Sequence, residues 1–473
     1  MINIQKALTY DDVLLVPQKS EVKSRQEVDT SSKLSRNISL RIPLVSANMD
    51  TVTESQMAMA MALAGGLGVI HRFCSPEQQA REVARVKRKQ NIVIDHPFTI
   101  SPGQTLADLR EKIKEHNCLS FLVTDQDNNL LGIITNRDIR FIKDANTPVR
   151  VMMTPKEKLI TAHYDTSPEE AQELLTKNKI EKLPLVDANF KIKGLITAAD
   201  FINHFNNSQA AKDSKGRLLV GAAVGVREGF MDRVNALVKA EVDLLVLDIA
   251  HGHSDIAIQA IKKIKAKYPQ LELVGGNVAT TQGAEDLIRA GADAIKVGIG
   301  PGSICTTRIT TGFGVPQLTA VMNAYQACHK HDIPIIADGG IRKPADIVKA
   351  LAAGADTVMI GGQFAGTDEA PGPIITYQGR RYKISRGMAS LTAALSRPDA
   401  QENIEQITPE GVEARVPYRG PVRNIINQFM GGLRSGMSYG NAKTIKELRE
   451  NAEFIQITAA GSIESESHDN EVL

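Results

Sequence analysis

Short apolar runs alternate with amphipathic stretches along most of this chain. The runs fall at residues 44–46, 67–70, 218–224, 244–248, 273–276, 294–298, 335–338 and 357–361. Each is too short for a buried helix, rich in Val, Ile or Leu, and bounded by glycine or polar residues, which is the pattern of a fully buried strand. The stretches between them carry apolar residues at helical spacing. Several close on small residues around a glycine, as in Ala290-Gly291-Ala292 and Ala352-Ala353-Gly354-Ala355, where glycine ends a helix. Eight such strand–helix units predict an α/β fold, a TIM (β/α)8 barrel, whose chemistry gathers at the C-terminal ends of the strands.

One segment breaks the rhythm. Val123-Thr124-Asp125 with 131–138, and Leu185-Val186-Asp187 with 193–200, repeat at an offset of 62 residues. The repeat predicts a tandem module that interrupts the barrel. The expected organisation is a first barrel part over 1–91, the tandem module over 92–207 and a second barrel part over 208–473.

Composition narrows the function classes. A formal net charge of +2 gives no case for nucleic acid or membrane binding, and no apolar run approaches the length of a spanning helix. The first residues lack the cationic start and apolar stretch of a signal peptide, so a cytoplasmic protein is expected. The four cysteines, Cys74, Cys118, Cys305 and Cys328, have no metal-like spacing.

Cys305 stands apart from the others. It lies in Gly300-Pro301-Gly302-Ser303-Ile304-Cys305-Thr306-Thr307-Arg308, directly after the sixth apolar run. Glycines let the main chain approach a ligand closely, and a thiol presented there is either a nucleophile or a small core residue. Asp338 with Gly339-Gly340, and Gly361-Gly362, follow the seventh and eighth runs. Phosphate binding is common at these last two loops of a barrel, and for Asp338 alone the rival reading is a helix N-cap. No Gly-x-Gly-x-x-Gly dinucleotide fingerprint is present.

The Cys305 loop, continued by Gly312-Phe313-Gly314-Val315-Pro316-Gln317, resembles the active-site loop of the IMP dehydrogenase and GMP reductase family. So do 8–17, Ala47-Asn48-Met49-Asp50, 248–254, 275–280, 337–341 and 432–435, so that the resemblance covers essentially the whole chain. It implies that Cys305 attacks purine C2, with Thr307 and Glu410 moving the proton. It also implies that Ser303, Asp338, Gly340, Gly361, Gly362, Gly387, Met388 and Ser390 hold a purine nucleoside monophosphate, and that Asp248 and Asn277 meet the nicotinamide ribose of NADPH or NAD. The carbonyls of Gly300, Gly302 and Cys305 resemble the family's potassium site, which borrows groups from a neighbouring subunit's tail. Residues 464–469 match that tail, so a homotetramer or octamer is expected.

The tandem module looks like a pair of CBS domains. In that resemblance Thr135, Asp138, Thr197 and Asp200 contact a nucleotide effector, while the same residues could simply cap helices.

Two reactions share the Cys305-linked intermediate. In the dehydrogenase a flap bearing an Arg-Tyr pair activates water; in the reductase ammonia leaves GMP and NADPH returns hydride. Here Arg397 is followed by Pro398, and Asn48, Ala389-Ser390 and Ser385 also look reductase-like. Gly275-Gly276-Asn277, 250–254, Val315 and the CBS insertion look dehydrogenase-like. The expected activity is GMP reductase, with IMP dehydrogenase as the alternative and a catalytically weak purine-nucleotide sensor as a third reading.

Overall fold

The computed structural model describes residues 4–89, 93–94, 97–116, 118–198, 209–395 and 408–466. The chain forms two compact units, Met1–Lys89 with Gln209–Leu473, and Gln90–Ser208.

Eight parallel strands close the first unit into a barrel: β1 (Leu44–Ser46), β2 (Leu67–Ile70), β3 (Gly221–Val224), β4 (Leu244–Leu247), β5 (Glu272–Val278), β6 (Ala294–Val297), β7 (Ile335–Asp338) and β8 (Thr357–Ile360). All eight expected runs are strands. The third is shorter than its apolar run, because Leu218–Val220 serve as an extended lead-in whose Leu219 N–H donates to Ala211 O at 2.9 Å.

Eight helices wrap this sheet: α1 (Ser55–Leu63), α2 (Pro76–Arg88), α3 (Phe230–Lys239), α4 (Asp255–Lys267), α5 (Thr281–Ala290), α6 (Gln317–Cys328), α7 (Pro344–Ala352) and α8 (Val422–Tyr439). Local signals set their ends. Ser75 Oγ accepts the Gln78 N–H ahead of α2, Thr280 Oγ1 accepts the Gly283 N–H ahead of α5, and Gly291 closes α5 at φ +108°.

Alternation along each strand separates two cores. One set of side chains meets the helices; the other, including Val45, Val69, Val246, Val274, Ala294, Ile336 and Met359, fills the barrel. A hairpin, Ser32–Lys33 with Ser39–Leu40, brings Leu34 and Leu40 into that inner core. The same alternation dictates what stands at the mouth. Two residues beyond inward-facing Val246, Ala294 and Ile336 come Asp248, Lys296 and Asp338.

Beyond β8 lies a three-stranded antiparallel sheet, Ile375–Tyr377, Arg380–Arg386 and Glu413–Pro417. Among the described residues no helix is long and apolar enough to cross a membrane.

The second unit carries the repeat into three dimensions. Leu106–His116, Ser120–Thr124 and Leu130–Thr135 in one half match Pro168–Asn178, Lys182–Val186 and Ile192–Thr197 in the other, each at the 62-residue offset. Leu122, Leu130 and Ile133 pack on Val186, Ile192 and Leu195. Leu130 N–H donates to Phe190 O at 3.0 Å and Ile192 N–H to Asn128 O at 3.1 Å, a reciprocal pair that gives the two halves an approximate twofold relation.

Candidate active site

The loop after β6 is shaped by an arginine. Gly300 (φ +82°) and Gly314 (φ +156°) flank Arg308 so closely that a Cβ on either would lie 2.6 Å from Arg308 Cγ. Arg308 donates Nε to Ile299 O at 3.3 Å and Nη2 to Val315 O at 2.6 Å, so one side chain staples both ends of the loop. A Cβ on Gly298 would lie 2.1 Å from Asp338 O, which restricts that position to glycine.

Within this loop Cys305 Sγ stands 3.2 Å from Thr307 Oγ1, and Thr307 Oγ1 donates to Glu410 Oε2 at 2.9 Å. Backbone bonds hold Glu410 in place: Thr306 N–H donates to Glu410 O at 2.9 Å and Val412 N–H to Ile304 O at 3.0 Å. Thiol, hydroxyl and carboxylate thus form one hydrogen-bonded line. Desolvation pushes the buried Cys74 up to about 11 and Cys328 up to about 12, which leaves little thiolate on either at neutral pH.

Two cavities meet at the mouth. One, about 510 Å³, is lined by Ser303, Asp338, Gly339, Gly340, Gly361 and Gly362. The other, about 540 Å³, is lined by Cys305, Thr307, Glu410, Asp248, Asn277 and Arg72, with Gly300, Gly302, Gly387 and Met388 also on its wall. They share a wall that includes Met49, Pro301, Gly302, Ile304, Asp338 and Gly339. A Cβ on Gly362 would come 2.9 Å from Ser303 Oγ, so backbone and hydroxyl stand close enough to grip one anion.

Ser390 is placed differently. It is buried, lines neither cavity, and its Oγ accepts the Ala393 N–H at 3.3 Å. Arg397 and Asp200 lie outside the described residues. In the second unit Asp138 Oδ2 accepts from Thr135 N–H and Oγ1, both at 2.7 Å, in a capping box, and both residues line a cavity of about 350 Å³ with Lys158, Lys179 and Lys182.

Five further residues enter the site. Asn48 Nδ2 donates to Asp248 Oδ1 at 3.0 Å and Arg72 Nε to Asp248 Oδ2 at 2.6 Å, so both carboxylate oxygens are fixed. Gln317 Nε2 donates to Val297 O at 2.8 Å and Asp338 O at 3.2 Å, tying the ends of β6 and β7 together. Lys296, 3 % exposed, donates to Asp338 Oδ2 at 2.6 Å and to Asn277 Oδ1. The signal for Lys296 is in the sequence: it is the charged residue inside the apolar run Ala294-Ile295-Lys296-Val297. Arg386 pairs with Asp50, which holds the guanidinium pKa above its usual value and ties the strand before Gly387 to the loop after β1.

The cation question turns on donor chemistry. Among the described residues no cluster of three or more His, Cys, Asp or Glu forms a metal site. The Cys305 loop offers main-chain oxygens instead, which suit a hard monovalent ion; the Gly302 carbonyl already accepts the Cys305 N–H at 3.1 Å and keeps one lone pair.

A barrel that gathers a thiol, a hydrogen-bonded hydroxyl–carboxylate pair and glycine loops after β7 and β8 at one mouth has the build of an enzyme active site. The comparison with known proteins narrows that class: residues 7–468 match the IMP dehydrogenase / GMP reductase domain, and the chain belongs to that family. It is an NAD(P)-dependent oxidoreductase of purine nucleotides. It is 52% identical to an inosine-5'-monophosphate dehydrogenase of Aquifex aeolicus, over 99% of this chain and 96% of that one, and 49% identical to that of Escherichia coli K12, over 99% and 97%. Among solved structures it is similar to a cysteine-to-alanine variant of the Trypanosoma brucei GMP reductase in complex with guanosine 5'-monophosphate, with 45% identity, a TM-score of 0.95 and 99% of each chain covered. The Trypanosoma brucei GMP reductase in complex with guanosine 5'-triphosphate gives 42% identity and a TM-score of 0.84, over 96% of this chain and 99% of that one.

Proposed function

We propose that this protein is a GMP reductase, converting GMP and NADPH to IMP, NADP and ammonia. The observation that carries the reading is the pairing of a complete Cys305–Thr307–Glu410 line with a flap sequence in which Pro398 follows Arg397. A guanidinium serves as a base for water only when it is held and desolvated, and the aromatic neighbour that the dehydrogenase flap supplies is missing from the sequence.

In this reading Ser303, Gly340, Gly361 and Gly362 hold the phosphate and Asp338 the ribose. Cys305 Sγ bonds to purine C2 and the C2–N bond breaks. The thiol proton, passed through Thr307 and Glu410, leaves with the amino group as ammonia. A dihydronicotinamide, bound on the Asp248 side, supplies hydride to C2. The C2–S bond then breaks and Cys305 departs as thiolate, ready to take up a proton. Asn48 belongs to the same reading, since it is reductase-like in sequence and sets the orientation of Asp248. A potassium ion would be held by the carbonyls of Gly300, Gly302 and Cys305, steadying the loop in a homotetramer.

The dehydrogenase reading keeps the support of the 49–52% identity to proteins of that name, beside the dehydrogenase-like Gly275-Gly276-Asn277, 250–254, Val315 and inserted module. Purified protein with GMP and NADPH is expected to consume NADPH and release one ammonia per turnover. Formation of NADH and xanthosine monophosphate from IMP and NAD, without the first reaction, would overturn the proposal. The second unit, read as a CBS pair, takes a nucleotide effector at the cavity of Thr135, Asp138, Lys158, Lys179 and Lys182, with Thr197 and Asp200 as the second copy's counterparts. A cytoplasmic location fits such an enzyme.

A further inference from the structure

We propose that Lys296 is a positioning residue that couples the nucleotide end of the site to the cofactor end. The inference rests on the reading above, in which Asp338 meets the nucleotide ribose and Asn277 lines the cofactor side.

Lys296 projects from β6 into the barrel mouth, and its ammonium is shared. It donates to Asp338 Oδ2 at 2.6 Å and to Asn277 Oδ1. Asn277 Nδ2 in turn donates to the same Asp338 Oδ2 at 2.9 Å and to Gly298 O at 2.9 Å. The three side chains therefore close a ring of hydrogen bonds. Each bond fixes a choice that would otherwise be open. An Asn side chain presents an acceptor and a donor that can swap by rotation, and the ammonium, which only donates, settles which end faces it. Asp338 has two carboxylate oxygens, and with Oδ2 receiving both Lys296 and Asn277, Oδ1 is the one left for ribose hydroxyls.

The placement explains why a lysine is tolerated there at all. A 3 % exposed ammonium needs a paired anion and satisfied protons. Asp338 provides the charge, and the bond to Gly298 O extends the ring to the first residue of the Cys305 loop. Lys296 lines the cofactor-side cavity with its ammonium turned into this ring, so the orientation of the nucleotide ligand, the amide on the cofactor side and the start of the Cys305 loop all depend on one side chain.

The test compares Lys296→Met, Asp338→Asn and the double variant by steady-state kinetics with both substrates and by thermal melting. Lys296→Met is expected to raise the nucleotide KM by about 10- to 100-fold, the range for losing a hydrogen bond to a charged group, and to raise the dinucleotide KM as well. Asp338→Asn is expected to raise the nucleotide KM alone. The double variant should show a nucleotide KM no worse than Asp338→Asn, and a dinucleotide KM raised as in Lys296→Met. A Lys296→Met enzyme whose two KM values stay within about twofold of the parent overturns the coupling. An unchanged nucleotide KM in Asp338→Asn overturns the ribose assignment, and the inference with it. If Lys296→Met does not fold, the double variant, which removes both buried charges together, decides through its dinucleotide KM: an unchanged value overturns the proposal.

Discussion

Cys305 and Glu410 are joined through a single hydroxyl: Thr307 Oγ1 lies 3.2 Å from the thiol and 2.9 Å from the carboxylate. A proton moving along this line has to pass that hydroxyl, which is the narrowest point of the path.

Removing that hydroxyl should slow chemistry without weakening nucleotide binding. Thr307→Ala is expected to lower kcat by about 10²–10⁴, the usual worth of a positioned proton-transfer group, with the nucleotide KM near that of the parent. Thr307→Ser should recover most of the loss, and stopped-flow single turnovers would show whether the slowed step is the one that releases ammonia.

The proposed hold of Ser303 and Gly362 on the phosphate predicts the opposite split. A Cβ at Gly362 would stand 2.9 Å from Ser303 Oγ and push that hydroxyl away. Gly362→Ala is expected to raise the nucleotide KM by about five- to tenfold, the value of one polar contact, with kcat little changed.

Gly300 tests the arginine staple. At φ +82° and with Arg308 Cγ 2.6 Å from its missing Cβ, alanine there would strain the backbone and displace the staple together. Gly300→Ala should cost about 1–3 kcal/mol in stability and lower kcat, measurable by denaturant melts and initial rates. Gly312→Ala, whose Cβ would meet nothing within 4 Å, is the control for positive φ alone.

A pH-dependent contribution should come from the N-terminal side of the barrel. Hydrogen bonds from Arg217 and Lys215 hold Glu241 down to about 2. Its folded-state pKa lies below the unfolded value of about 4.3, so the stabilisation is present above that pH and is lost as pH falls towards 2. The carboxylate is half-exposed, and screening limits the effect to about 1 kcal/mol or less. Glu241→Gln should therefore melt slightly below the parent at pH 7, with the gap closing as both are titrated towards about pH 2.5.

The second unit should respond to polyphosphates. Lys158, Lys179 and Lys182 line one cavity with Asp138, and a nucleoside triphosphate at about 100 times its Kd would stabilise that unit by about 2.7 kcal/mol. Lys179→Ala with Lys182→Ala should abolish the rise in melting temperature; a rise that persists would move the effector elsewhere.

The barrel was legible because its signal is local. Strands such as Leu244–Leu247 are buried on both faces and read as unbroken apolar runs. The pairing of Val13–Leu15 with Phe454–Gln456 carries no such signal, since both strands are three residues long and their partners lie at opposite ends of the sequence. Site residues divide the same way. Cys305, Asp338 and Gly361 are legible because glycine punctuation marks a strand end. Asn48, Arg72 and Gln317 matter through bonds across the barrel mouth, which spacing along the chain does not encode. Lys296 lies between the two cases: a charge inside an apolar strand announces a buried partner, and only the closed barrel says which.

The bond from Glu410 N–H to Ala389 O, 3.0 Å long, has a consequence of its own. It pins together the two ends of the chain segment that carries Arg397 and Pro398, while Thr306 ties Glu410, and Ile304 ties Val412, to the Cys305 loop. With its two ends held 3.0 Å apart, the entropy of closing the chain between them grows only logarithmically with the number of residues enclosed. A change of length between those ends therefore leaves the hydrogen bonds that place Glu410 beside Thr307 and Cys305 where they are.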